Sequence, residues 1–446
     1  MSEFIYLRFP PLPLSRHDTA GDRPEAEEPA SRFQVSEYAG VRRSSSAQRC
    51  RKRLEEAGQR QLSRPHFVQQ IFGYLPRADQ RRWAEAYLRG LQCTPGRKTV
   101  RQMAQTLDPG APSAAQGLQQ FISSSPWSWM SASARLAHHV AECLPTEAWV
   151  VGTVVAEKHG KHSVGVHRRF LPEAGRTLNC QVGLGLFLAS GAECVPIAWQ
   201  LVMDDTWFGE EQRARARIPE SVCYQSASAQ LLDIADWLAE LRLHRSAPLV
   251  VDHPVGPDVG PLVDRLNERN WGFAIAVHPE QPVAAALGPQ QAGDDRRAPG
   301  AEPGRTVPAR TFMTRRTAQP PGTVTLRRHD AENRRFVLSA PVRLPGPRQA
   351  RRTYLLVAEQ PAGLQGTTRY WITNLHNRSL EEVATHLGRA RPLRATVQAL
   401  EEEFGLLDFQ GRTFPGWHRH VTMASAAYAY QRLHAPAPSC QGQAGA

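Results

Sequence analysis

No Cys-x-x-Cys pair occurs in this chain of 446 residues, although it holds seven cysteines, at positions 50, 93, 143, 180, 194, 223 and 440. That absence argues against a zinc ribbon and a disulfide framework, and implies free thiols in a reducing cytoplasm. Cys180, Cys194 and Cys223 lie in apolar, strand-like surroundings, where buried inert thiols are expected. No apolar run approaches the length a membrane span needs, and the first residues lack the charged-then-apolar pattern of a secretory signal. A soluble cytoplasmic chain is the expectation. Acids are also in the minority: 42 Asp and Glu stand against 54 Lys and Arg, a formal net charge of +12. Such a balance favours a polyanionic partner.

What is present divides the chain. Residues 1–63 are rich in Pro, Glu, Ser and Arg with little periodicity, and read as a disordered basic arm. Its run of basic residues from Arg42 to Arg60 suits either DNA phosphates or a solvated tail. Over 64–144 the pattern turns helical: Phe67, Ile71 and Leu75, then Trp83, Tyr87 and Leu91, recur at spacings near four. Trp149–Ala156, Ser163–Val166 and Cys180–Ala189 are β-branched and glycine-rich, predicting three consecutive strands, with Val195–Met203 a fourth. Asp204 and Asp205 read as a solvated turn, not a metal pair. Leu231, Ala235 and Leu238 line a helix that leads into the strand Pro248–Val251, ending at Asp252-His253. A second helix, Asp258–Arg269, returns to the strand Trp271–Val277, a β-α-β rhythm that predicts a mixed α/β sheet across 145–278. Residues 279–308 shift to Pro, Gly, Ala and Gln and read as a mobile loop. Short strands follow within 309–376, then closing helices within 377–434 and a disordered tail, 435–446.

The phrase Gly160-Lys161-His162-Ser163-Val164-Gly165-Val166, followed by Asn179-Cys180-Gln181-Val182, resembles the opening of the catalytic domain of bacterial insertion-sequence transposases of the DDE superfamily. The likeness continues upstream in Tyr87-Leu88-Arg89-Gly90-Leu91 and Gln119-Gln120-Phe121-Ile122 with Ser125-Pro126-Trp127. Downstream it runs through Tyr370-Trp371-Ile372-Thr373-Asn374, Phe404 to Arg412 and Gly416 to Val421, so that it spans roughly residues 67–433. It implies a ribonuclease H-like mixed sheet with flanking helices, a helical N-terminal region that binds DNA, and a β-rich insertion before the last catalytic acid. It also implies phosphoryl transfer on DNA by two divalent ions, Mg²⁺ or Mn²⁺, held by three carboxylates.

Residue by residue, the matching positions depart from that set. The first acid position falls on Gly152, and the nearest acid, Glu157, is five residues on, so that it points to the other face of a strand. The second falls on His253, or on Asp252 with a shift of one, and the register stays open. The third falls on Arg394, where a cation stands in place of a carboxylate; the accompanying Tyr and Lys positions fall on Val397 and Glu401. Glu401 lies ~10 Å along the helix axis from 394, too far to share a metal. Asp252 is thus the surviving acid and the one candidate metal ligand. The expectation is a transposase/endonuclease fold without working acids and without a cofactor, or with Mg²⁺ or Mn²⁺ if active.

DNA binding needs only positive charge in the right place. Lys158, Lys161, His162, Arg168 and Arg169 form the densest basic cluster of the core, with Arg412 nearer the C-terminus; solvated edge residues guarding a strand are the alternative. Trp417 reads as core, with His418 and His420 flanking the old active cleft. The leading expectation is therefore a DNA-binding, catalytically impaired or repurposed transposase homologue, with DNA as partner, no membrane, and a homo-oligomer left open. An active transposase with a reorganised acid set and a non-catalytic interaction scaffold are the alternatives.

Overall fold

The computed structural model describes residues 62–108, 112–158, 160–171, 175–243, 247–256, 258–286, 306–317, 324–326, 335–346, 348–361 and 368–434. The expected N-terminal arm up to 61, the expected tail and residues 287–305 of the expected loop lie outside them. Among the described residues no helix is long and apolar enough to cross a membrane.

Among the described residues five helices come first: α1 (Arg64–Phe72), α2 (Ala78–Cys93), α3 (Val100–Leu107), α4 (Pro112–Ser123) and α5 (Trp129–Cys143). Their starts carry the expected chemistry, since Thr99 accepts from Gln102 N at the head of α3 and Ser128 from Ser131 N at the head of α5. Phe67 and Ile71, four apart on α1, are buried, as are Tyr87 and Leu91 on α2.

The sheet opens with β1 (Ala148–Glu157), β2 (His167–Leu171), β3 (Arg176–Ser190) and β4 (Glu193–Val202). After α6 (Glu210–Ala216) and α7 (Ala227–Glu240) come β5 (Leu249–Val251), α8 (Gly260–Glu268) and β6 (Phe273–Val277). Then follow β7 (Pro282–Ala285), β8 (Val307–Pro308), α9 (Ala309–Thr317), β9 (Val324–Leu326), β10 (Arg335–Arg343), β11 (Tyr354–Pro361) and β12 (Arg369–Thr373). The chain closes on α10 (Leu380–Gly388), α11 (Pro392–Glu402) and α12 (Phe414–Leu433). The strand order is β2-β3-β1-β5-β6-β12-β11-β10-β7-β8, with β4 also on β3 and β9 on β10. β1, β5 and β6 are mutually parallel neighbours; the remaining pairs are antiparallel. The expected mixed α/β sheet is therefore present, and its later strands extend the same sheet beyond β6.

Three local expectations need correction. Residues 163–166 are a turn, and the second strand is His167–Leu171. Gly165 sits at φ +74, outside any strand conformation, and Val164 is buried as a loop residue whose carbonyl accepts from Gln181 Nε2 at 2.6 Å. The mobile loop expected over 279–308 contains β7, where Val283 is fully buried and the backbone pairs with β10. One valine among Pro, Gln and Ala gives no alternation to read. Cys180 and Cys194 are buried, but Cys223 is exposed, because its neighbour Val222 takes the interior position.

α12 is the spine. Nearly every residue from Phe414 to Ala429 is buried, with β4 on one side and α2 and α5 on the other. Such a helix must satisfy its polar side chains internally. Arg419 donates to the carbonyls of Trp127 at 3.2 Å and Ile122 at 3.1 Å, covering the C-terminal end of α4. Ser425 Oγ accepts from Trp199 Nε1 at 2.8 Å and so ties the helix to β4.

Candidate functional site

The parallel register of β1 and β5 sets Val151 beside Val251, and Asp252 N donates to Val151 O at 2.9 Å. Asp252 therefore stands level with Gly152, and His253 falls one step on, where a strand alternates faces. Gly152 offers no side chain, and the space that a Cβ would need is filled by Leu393 from the first turn of α11. The helix that carries the expected third position does cross β1, but it aims leucine there; Arg394 is exposed on another face, and Glu401 lies two turns on. Glu157 faces away, exposed, and pairs with Arg176 at 3.2 Å.

Asp252 is held by Arg369 of β12, whose guanidinium donates to Oδ1 at 2.6 Å and to the backbone carbonyl at 2.9 Å. The same guanidinium lies 4.7 Å from the centre of the Trp371 ring, two residues on and on the same face of the strand. Beside Arg369 across the ladder stands Glu359 of β11, a carboxylate only 3% exposed. Arg391, which leads into α11, donates to Glu359 Oε1 at 2.6 Å, and Arg335 of β10 lies 3.6 Å from the same oxygen. A row thus runs across five neighbouring strands, from Gly152 of β1 through Asp252 at the end of β5, past β6, to Arg369 of β12 and Glu359 of β11, roofed by the start of α11. Burial pushes the Asp252 carboxyl above its ordinary range, Arg369 pulls it back, and Glu359 pushes it further up. Burial also holds the His253 imidazole down at about 4, aided by the Arg169 charge, so the ring is neutral.

The two divalent ions that the resemblance implies need several anionic oxygens converging on them. Here Gly152 supplies none, both carboxylates of the row carry guanidiniums at hydrogen-bond distance, and three arginines outnumber two acids. A doubly charged ion placed among them would meet net positive charge. The residues present do not fit the pair of ions.

The basic residues divide. Lys158, Lys161 and Arg168 line one open groove of about 470 Å³ together with Thr177, Asn179 and the Arg176–Glu157 ion pair, whose acid is its one carboxylate. Lys161, His162 and Arg168 are exposed, and Lys161 and Arg168 have no acidic partner among the described residues. Lys158 is the inner member; its ammonium donates to Leu407 O at 3.3 Å, and burial lowers its pKa. Arg169 alternates away from Arg168 toward His253 and Cys180, whose titrations it biases. Arg412 is exposed on the segment before α12 and does not line the groove. Phe170, 58% exposed, points outward beside Arg168 on β2 and pairs with Thr177 of the groove wall.

His418 and His420 do not flank this row. His418 Nδ1 donates to Phe414 O at 2.9 Å and its ring stacks on Trp129, while His420 lies between Tyr87 and Gly405, at 2.8 Å from each. Both are interior residues of the contact between α12 and the N-terminal helices. Trp417, expected as core, is buried.

Sequence reasoning missed Glu359, Arg369, Arg391 and Leu393. Arg369 immediately precedes the Tyr370-Trp371-Ile372-Thr373-Asn374 phrase and was findable as a charge entering a buried strand. Glu359 carried no such signal, because only the β11–β12 register sets it beside Arg369.

A sequence-family profile described as DDE superfamily endonuclease matches residues 70–335, more than half of the chain. A search of curated proteins finds no match. The matched span includes Gly152 and Asp252 and ends before Glu359, Arg369 and α11.

Proposed function

Since the chain belongs to the DDE superfamily of endonucleases, we propose that it binds duplex DNA through the Lys161–Arg168 groove and does not cut it. The mixed sheet with its flanking helices is the ribonuclease H-like fold of that superfamily, and residues 70–335 carry its endonuclease domain. The reading is of a catalytically impaired or repurposed homologue of bacterial insertion-sequence transposases, working on cytoplasmic DNA. One observation carries it: the carboxylates of the row are each held by an arginine at 2.6 Å, while Lys161 and Arg168 face solvent without an acidic partner among the described residues. Phosphate contact needs only such free cations, and an exposed aromatic such as Phe170 beside them offers a face to a nucleotide.

A second reading, an active nuclease with a reorganised acid set, draws on Glu359, a carboxylate on the same row as Asp252. Plasmid nicking with Mg²⁺ and Mn²⁺ and duplex titrations at ~50 and ~200 mM salt separate the two. The expected result is affinity that falls by orders of magnitude with salt, and no nicking. Nicking by the wild type that disappears in Asp252→Ala or Glu359→Ala would establish the second reading, and failure to bind at low salt would leave an interaction scaffold.

A further inference from the structure

Outside the acid row, α5 and the end of α12 bring together three metal-ligating side chains that the DNA reading does not use. His139 and Cys143 stand four residues apart on α5, hence on one face of the helix. His434 caps the C-terminal end of α12. His139 Nε2 and His434 Nε2 are 2.8 Å apart, Cys143 Sγ is 3.8 Å from His139 Nε2, and all three donor atoms lie within 4.8 Å of one another. Both imidazoles are buried, at 7% and 6% exposure, which favours their neutral, ligating form.

We propose that His139, Cys143 and His434 hold one zinc ion, which pins the end of α12 to the N-terminal helices. Zn–N bonds of ~2.0–2.1 Å and a Zn–S bond of ~2.3 Å place tetrahedral donors about 3.3–3.8 Å apart. The Cys143–His139 separation already meets that range, and the two imidazoles need to part by about half an ångström. Two nitrogens and a thiolate are a donor set for a borderline-soft divalent ion rather than Mg²⁺ or Ca²⁺, whose ligands are oxygens. Water completes the tetrahedron on the side of Cys143, which is half-buried. Binding releases one proton, from the Cys143 thiol; each imidazole stays neutral with its remaining proton on Nδ1 and its Nε2 lone pair on the ion. Phe67 fixes the rings from the apolar side, edge-on to His139 at 5.3 Å and 5.8 Å from His434. The sites are joined across nearly three hundred residues of sequence, so a bound ion crosslinks the first helical layer to the last helix.

The test uses the full chain, free of any metal-affinity tag and purified without chelator. Mass spectrometry should find about one zinc per chain, and replacement by Co²⁺ should give a sulfur-to-cobalt charge-transfer band. Cys143→Ala should abolish the band while leaving the circular dichroism of the fold unchanged, because Cys143 is half-buried and the substitution removes one atom. A chelator should lower the melting temperature of the wild type and leave that of Cys143→Ala and of His434→Gln unmoved. Wild-type protein that takes up neither zinc nor cobalt overturns the proposal, leaving a His–His hydrogen bond. So does metal bound equally by wild type and Cys143→Ala. DNA binding enters none of these readouts, so they stand or fall apart from the proposed function.

Discussion

Leu393 fills the space that a side chain on Gly152 would need, so the helix expected to complete an acid cluster instead closes it. Gly152, the expected first acid position, meets this helix at Leu393, while Arg394, the expected third, lies exposed on another face. Restoring a carboxylate at 152 is therefore a steric problem before it is an electrostatic one.

Gly152→Ala should cost about 1–3 kcal/mol, the usual cost of overpacking a well-filled core. Leu393→Ala alone should cost about 2–4 kcal/mol through its cavity. Combined, the two should lose clearly less than their sum, a coupling that urea denaturation of the four proteins measures. Additive losses would mean that the two residues do not compete for the same volume.

Arg369→Ala leaves the Asp252 carboxylate buried without its partner. The folded pKa of Asp252 then rises further above its unfolded value, so the folded state holds that proton more tightly and stability falls as pH rises through that interval. The loss should be about 2 kcal/mol at pH 8 and smaller near pH 5, and Asp252→Asn in the same background should recover most of it. Denaturation curves at the two pH values check the sign; a loss that grows toward low pH would contradict it.

His420 is held down to about 4 and His418 to about 3, chiefly by burial. A folded pKa below the unfolded one, ~6.5, means the imidazole stabilises the fold only while neutral. Their contribution is complete above pH ~6.5 and is lost as pH falls through the folded values of about 4 and about 3, at about 3 kcal/mol for each ring by pH 4. Chemical denaturation from pH 7 to 4 should show that decline, and His420→Gln should make it shallower while the His418 share remains.

Lys161→Ala and Arg168→Ala should each weaken duplex binding without regard to sequence and reduce the salt slope by about 1. Phe170→Ala should weaken binding while leaving the slope intact, since stacking releases no counterion. Fluorescence anisotropy across a salt series distinguishes the two behaviours. A slope unchanged in both cation variants would move the DNA contact off this groove.

Local pattern was enough for much of the architecture. The valines of 149–156 and 249–251 and the leucine stripe of 231–238 dictate strands and a helix because burial selects residues at fixed periods. The glycine at 152 and the arginine at 394 are equally legible as residue identities, at positions that the resemblance supplies. Tertiary structure decided which of these residues meet. That Asp252 rather than His253 stands level with Gly152 follows from the β1–β5 register, and a slip of one residue would reverse it. Glu359 reaches Arg369 only through strand pairing, and His139 reaches His434 only because α12 packs along α5. Periodicity within a segment reflects which face is buried; what that face touches is set by how distant segments dock, and a single sequence carries no local trace of it.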